Sequence, residues 1–193
     1  MIPLSYYQQN DTLTLAKDLI GRRLFTCING KITGGTIVET EAYIGPLDKA
    51  SHAIDGRRTK RTEILFKSGG RAYAYLIYGL YTLFNVTTGK KDKPECILIR
   101  AIKPETGIET MKERRFGNYN STKKVISDGP GRLTQALAID KSMYGLPLNS
   151  EVLWIEEGID LSSQIVATPR VGIDYAEEFA DKKWRFVVPV PGT

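Results

Sequence analysis

The dipeptide Asn29-Gly30, set between two strand-like runs, constrains the fold of this chain more than any other feature. A two-residue type I′ turn needs positive φ at both central positions, which Asn and Gly tolerate, so RRLFTCI and TGGTIVETEAY read as one antiparallel hairpin. A second hairpin is legible in RAYAYLIYGLYTLFNVTT, two alternating runs about a turn near Tyr78-Gly79-Leu80. CILIRAI follows as a strand, and VLWIE, PRVGI and WRFVVPV read as later strands. Asp11 is placed to cap a helix over Thr12 to Ile20, with Leu13, Ala16, Leu19 and Ile20 on one stripe and Gly21 closing it. Pro104 predicts the opening of a helix running to about Glu113, and SDGPGRLTQALAI reads as a glycine-rich turn feeding a short helix. Strands in hairpin order with several short flanking helices imply an α+β fold, one compact domain over residues 1–193 built on a curved antiparallel β-sheet.

Composition then narrows the chemistry. No apolar stretch approaches the roughly 20 residues that a membrane span needs. The opening MIPLSYYQQND lacks a positive segment followed by an apolar one, so no signal peptide and a cytoplasmic location are expected. Cys27 and Cys96 sit in apolar runs and read as small core residues in a reducing compartment. With one histidine in the chain and no Cys or His at ligand spacing, neither a metal nor another cofactor is expected. GxGxxG, GxxxxGK[ST] and HExxH are all absent, which removes dinucleotide, P-loop and zincin readings. Chemistry is left to carboxylates, hydroxyls, guanidinium groups and that histidine.

Charge is concentrated. Between Arg57 and Arg71 six positive side chains, including Arg57, Arg58, Lys60 and Arg61, face Glu63 alone, and this local excess of five equals the +5 net charge of the chain. Either a solvated basic loop or an anion-binding surface has this composition. The whole stretch from Ile44 to Gly70 is long and weakly periodic, as functional or disordered loops are. In the glycine-rich run, Gly129-Pro130-Gly131 could offer backbone N–H groups to a phosphate, a weak signal.

Four places carry candidate chemistry. In IVETEAY the strand period puts Glu39, Glu41 and Tyr43 on one face, which is either a plain polar face or one whose glutamate activates a water. Arg100 shares a face with Cys96 and Leu98 in an otherwise apolar strand, so it needs a carboxylate partner, which Glu41 would supply. The pair is either structural or a device that positions a water. Tyr73, Tyr75, Tyr78 and Tyr81 crowd the aromatic hairpin; the strand tyrosines suit a core, while Tyr78 at the tip has little of its own chain to pack on. Beside a basic loop such a tip looks like a wedge that fills the gap left by an extruded nucleotide. His52 lies in the loop, either as a surface residue or as a ring that meets a bound base.

In this order, IVETEAYIGPLDKASH (37–52), GRRTKRTEILF (56–66), YAYLIYGLYTLFNV (73–86), ILIRAIKPETG (97–107), GPGRLTQALAI (129–139), TPRVGI and WRF resemble the alkyladenine (3-methyladenine, or methylpurine) DNA glycosylase family. The resemblance runs from about Leu13 to Phe186 and rests on ETEAY, an ASH ending nine residues beyond Tyr43, YxxYG and LIRA together. It implies that Glu41 is the general base, with Arg100 and the backbone carbonyl of Val171 holding the attacking water. Tyr43 and His52 would line one side of a flipped base and Tyr75 the other, with Asn85 at the pocket wall and Tyr78 in the vacated stack. Arg57, Arg58, Lys60 and Arg61 would meet the backbone of double-stranded DNA carrying a damaged purine, the protein acting as a monomer. The chain departs from the family pattern at Thr62, at Ser68-Gly69-Gly70 and at Ala74, positions that bear on loop geometry and lesion range. Two rival classes remain open at this point: a non-catalytic stacking module for nucleic acid, which binds and releases nothing, and a small-substrate nucleosidase or amidohydrolase, which would leave the basic loop idle.

Overall fold

The computed structural model describes residues 1–9, 11–117 and 127–189. β1 (Arg23–Ile28) and β2 (Lys31–Ile44) form the first hairpin, and Asn29 and Gly30 take φ of 53° and 73°, as the type I′ turn requires. The aromatic hairpin is β3 (Ala72–Ile77) and β4 (Tyr81–Thr88), followed by β5 (Glu95–Thr106). β6 (Leu153–Glu156), β7 (Val166–Thr168) and β8 (Arg185–Val187) complete an antiparallel sheet of order β3-β4-β5-β2-β1-β6, with β8 joining β2 and β7 joining β8. β2 is the spine, holding β5 along one edge and β1 then β8 along the other. Register shifts on either side of Glu39 bend it.

Among the described residues four short helices flank the sheet: α1 (Tyr6–Gln9), α2 (Thr12–Asp18), α3 (Ile108–Phe116) and α4 (Pro130–Leu137). Asp11 caps α2 as expected, accepting from the Thr14 backbone N–H at 3.0 Å. The helix stops at Asp18 instead of Ile20, and Leu15 is buried in place of the half-buried Leu13. Pro104 does not open a helix: it lies in β5 opposite Gly35, at a register shift where a missing N–H is tolerated, and α3 starts only after Gly107 turns the chain at φ 68°. PRVGI is likewise no strand; β7 ends at Thr168, and the segment beyond it turns inward to partners described below. Of WRFVVPV only Arg185–Val187 is strand, and Val190 lies outside the described residues.

Alternation gives the sheet two distinct faces. Ile97 and Ile99 of β5, Phe84 and Val86 of β4, Ala72 and Ala74 of β3, and Ala42 of β2 enter the main core with Leu15, Leu19 and the α4 residues Leu133 and Leu137. Burial of each such large side chain contributes about 1.5–3 kcal/mol. The intervening residues face the other way, toward the segment from Ile44 to Gly70. That segment is ordered: it makes three single 3₁₀ turns and seats Ala53, Ile64, Leu65 and Phe66 against Tyr73 and Cys96. Cys96 therefore belongs to this second face, and Cys27 is only half-buried. Among the described residues no helix is long and apolar enough to cross a membrane.

Candidate active site

Register alone assembles the site. Glu41 pairs with Leu98, Leu98 with Asn85, and Asn85 with Tyr73, so one row crosses four strands on one face, because directly opposed residues in an antiparallel ladder point the same way. Tyr75 opposite Leu83, together with Arg100, continues that face toward the hairpin tip. Over it lies a cavity of about 140 Å³ whose wall includes Tyr43, His52, Tyr73, Tyr75, Asn85 and Arg100. Val171 and Tyr175, half or more exposed, mark its open side.

Glu41 is fully buried and does not itself reach the cavity wall, though its three partners do. Its carboxylate accepts from the Val171 backbone N–H at 2.8 Å and from the Tyr43 hydroxyl at 2.9 Å, with Arg100 Nη1 at 3.4 Å. A carboxylate has about four lone-pair sites, and these contacts take three of them. The Val171 contact runs through its N–H, whereas the expected role fell on its carbonyl. Arg100 has its expected carboxylate, but the nearer one is Glu39, at 2.6 Å from Nε, which Arg185 also binds at 2.6 Å. Two guanidinium groups thus face two carboxylates, and no buried charge is left over. Burial by itself lowers the Arg100 pKa, but Glu41 and Glu39 outweigh it and hold the guanidinium above its usual value.

The aromatic wall is locked by polar contacts. His52 Nδ1 lies 2.8 Å from the Tyr73 hydroxyl, and its Nε2 is 3.2 Å from Arg61 Nη2. A guanidinium only donates, so Nε2 is the bare nitrogen and Nδ1–H donates to Tyr73. Desolvation among the tyrosines, then repulsion from Arg61 and Arg57, lowers the His52 pKa from 6.5 to about 4, so the ring is neutral near pH 7. It stands edge-on to Tyr75 at 4.8 Å, and the Arg61 guanidinium lies 4.4 Å from the Tyr75 ring centre. Burial raises the Tyr43, Tyr73 and Tyr75 phenols well above their usual range, which keeps them uncharged. Asn85, buried, donates to the Tyr73 carbonyl at 3.2 Å and accepts from the Cys96 thiol at 3.7 Å.

Tyr78 stands at the hairpin tip, 86% exposed with φ 52°, beside the exposed Leu76, Leu80 and Tyr81. A left-handed tyrosine is uncommon, and here it turns an aromatic ring out into solvent. The basic residues divide. Arg58 is held by Glu63 at 2.7 and 2.8 Å and approaches Asp92 at 3.4 Å, whereas Arg57, Lys60 and Arg61 are exposed with no carboxylate within ion-pair distance among the described residues. In the glycine-rich run the Gly129 N–H is spent on the Arg100 carbonyl at 3.0 Å, and Asp128 pairs with Arg132.

Residue-by-residue reading missed a second buried ion pair. Asp48 and Arg170 are both fully buried and bonded twice, at 2.6 and 2.8 Å. The argument that exposed Arg100 applied to the arginine inside the apolar PRVGI run as well.

The model of the Methylpurine-DNA glycosylase (MPG) family matches residues 5–191. A protein of Natranaerobius thermophilus is 49% identical over 183 residues, covering 93% of this chain and 91% of its own. One from Chlamydia felis is 44% identical over 190 residues (98% and 97%), and one from Bacillus cytotoxicus 47% identical over 188 residues (93% and 92%). Each of the three bears the name "Putative 3-methyladenine DNA glycosylase".

Proposed function

The chain belongs to the methylpurine-DNA glycosylase family, and from that premise we propose that it draws an alkylated purine of the 3-methyladenine kind out of duplex DNA and hydrolyses its N-glycosidic bond. The observation that carries the reading is the single row of Glu41, Leu98, Asn85 and Tyr73 beneath a cavity walled by Tyr75 and His52, on the hairpin that ends in the exposed Tyr78.

Alkylation at N3 or N7 makes the purine cationic and a good leaving group. As its bond to C1′ stretches, the sugar gains oxocarbenium character, which the Glu41 carboxylate stabilises. Water adds its oxygen to C1′, Glu41 takes the proton, and the base departs neutral with the bonding pair. Arg100 and the Val171 carbonyl orient that water. The His52 and Tyr75 rings touch edge-on at 4.8 Å, which leaves no room for a base between them. His52 therefore goes with Tyr75 on one side of the base and not, as expected from the sequence, with Tyr43, which holds the other. A cation over an aromatic face gains about 0.5–2 kcal/mol, which favours the alkylated purine over the normal one. Asn85 limits which purines fit, and deaminated purines, lacking the positive charge, leave more slowly. Among the described residues no lysine lines the cavity, in keeping with a monofunctional enzyme that leaves an abasic site and cuts no strand.

A void of about 150 Å³ accepts a single six-membered ring, so a bicyclic purine needs more than the 140 Å³ seen here. The exposed side chains of Val171 and Tyr175 yield as the base enters. Tyr78 fills the vacated stack, and Arg57, Lys60 and Arg61 meet phosphates, with Arg58 joining them once released from Glu63. The protein works in the cytoplasm as a monomer. The test is release of free base from methylated duplex DNA by the purified protein without added metal. Binding without release would favour a stacking module, and faster attack on free nucleosides than on duplex a nucleosidase.

A further inference from the structure

The buried pair Asp48–Arg170 lies outside the machinery described so far, yet it ties together the segments that make one side of the cavity. Arg170 Nη1 also donates to the Ala42 carbonyl at 2.9 Å, next to Glu41 in β2, and Nη2 to the Phe179 carbonyl at 3.4 Å. Its guanidinium is sandwiched between the rings of Tyr43 at 4.7 Å and Trp184 at 5.0 Å. Asp48 in turn accepts from the Ile44 N–H at 3.1 Å and the Ala50 N–H at 3.0 Å. The residue after Arg170 is Val171, whose N–H bonds Glu41 at 2.8 Å. One ion pair therefore fixes the end of β2, the entry to the His52 loop and the strap that reaches the Glu41 carboxylate.

Core stability gives no sufficient reason for such a pair. Buried ion pairs repay their desolvation poorly compared with apolar residues of the same volume, and Arg170 Nε is buried with no hydrogen-bond partner. What an apolar replacement would not provide is direction: a planar, bidentate donor pinned between two rings sets both the position and the rotation of the backbone that follows it.

We propose that Asp48 and Arg170 are positioning residues for base excision, which place the Val171 N–H on Glu41 and align that carboxylate with the cavity; the inference rests on the glycosylase reading above. A displacement of about 1 Å in a reacting geometry costs on the order of 100-fold in rate. The test is the double variant Asp48→Asn/Arg170→Met, which leaves no uncompensated buried charge and retains an acceptor for the loop N–H groups. The expected result is a native-like melting transition, unchanged affinity for lesion-containing duplex, single-turnover excision slowed about 100-fold, and faster hydrogen exchange of the Val171 amide. A folded double variant that excises at the wild-type rate overturns the proposal, as does a slow one whose Val171 amide keeps its protection. The exchange measurement needs no DNA, so a wild-type protein that released no base would overturn the glycosylase reading while the positioning claim is still read from the amide.

Discussion

Replacing Glu41 by Gln separates the chemical role of this residue from its structural one, and the contacts allow both effects to be sized. Gln keeps the shape: its Oε1 can face the Val171 N–H and Arg100, while the Tyr43 hydroxyl rotates to accept from Nε2. Two hydrogen bonds then change from charge-assisted to neutral, a loss of about 1–1.5 kcal/mol each. Arg100 keeps Glu39 at 2.6 Å, and Arg185, which shares that carboxylate, is partly exposed and can be compensated by solvent. The summed cost of about 2–3 kcal/mol is smaller than the 5–15 kcal/mol typical of a folded domain. The variant therefore folds, with its melting temperature lowered by roughly 4–12 °C. A positioned general base contributes about 10²–10⁴-fold in rate, or roughly 2.7–5.4 kcal/mol of barrier. Single-turnover release of base from methylated duplex at 25 °C, well below the transition, should fall by that factor while lesion binding holds. Excision within about threefold of wild type would refute the reasoning, since a base worth so little falls below the range of such catalysis.

Three further outcomes are expected. Tyr78→Ala removes stacking worth about 1–3 kcal/mol, so excision from duplex falls roughly 5- to 150-fold, and far less from single strands; an equal loss on both substrates would count against the wedge. His52, the one histidine in the chain, gives one pair of ring C–H signals in proton NMR whose titration midpoint lies near 4 and moves upward in Arg61→Ala. Between pH 6.5 and about 4 the unfolded chain takes up a proton that the folded one refuses, so His52 lowers stability as pH falls through that window and has no such effect above it; a native-state titration near 6.5 would contradict the desolvation and the repulsion from Arg61 and Arg57 assigned to this ring. Arg57→Ala and Lys60→Ala each reduce the slope of log affinity against log salt by about one, whereas Arg58→Ala, held by Glu63 and Asp92, has less effect; equal slopes for all three would show that internal pairing is irrelevant.

The sequence revealed most where alternation and turn chemistry act locally. Asn29-Gly30 and the Tyr78-Gly79 turn define both hairpins, and period two then puts Glu41 with Tyr43 and Tyr73 with Tyr75. Segments controlled by distant partners were not legible. Pro104 satisfied a local helix rule, yet its place in β5 depends on Gly35 across the sheet. PRVGI had the composition of a strand, but Arg170 turns inward to Asp48, 122 residues away, and the Val171 N–H goes to a side chain instead of a ladder. The segment from Ile44 to Gly70 looked structureless because its order comes from single 3₁₀ turns and from Tyr73 and Cys96, neither of which leaves a period in the segment itself. Arg100 was found by asking what a buried cation must pair with; the preference for Glu39 over Glu41 follows from the bend in β2, which only the register discloses.

The central claim is geometric: one extruded nucleotide joins the cavity above Glu41 to the stack entered by Tyr78. A crystal structure of the Glu41→Gln variant bound to duplex DNA with a single alkylated purine tests it most directly. The account predicts the base between Tyr43 and the Tyr75–His52 side, C1′ over residue 41, and Tyr78 within the helix. A base still stacked in the duplex, or held elsewhere with Tyr78 in solvent, would contradict it.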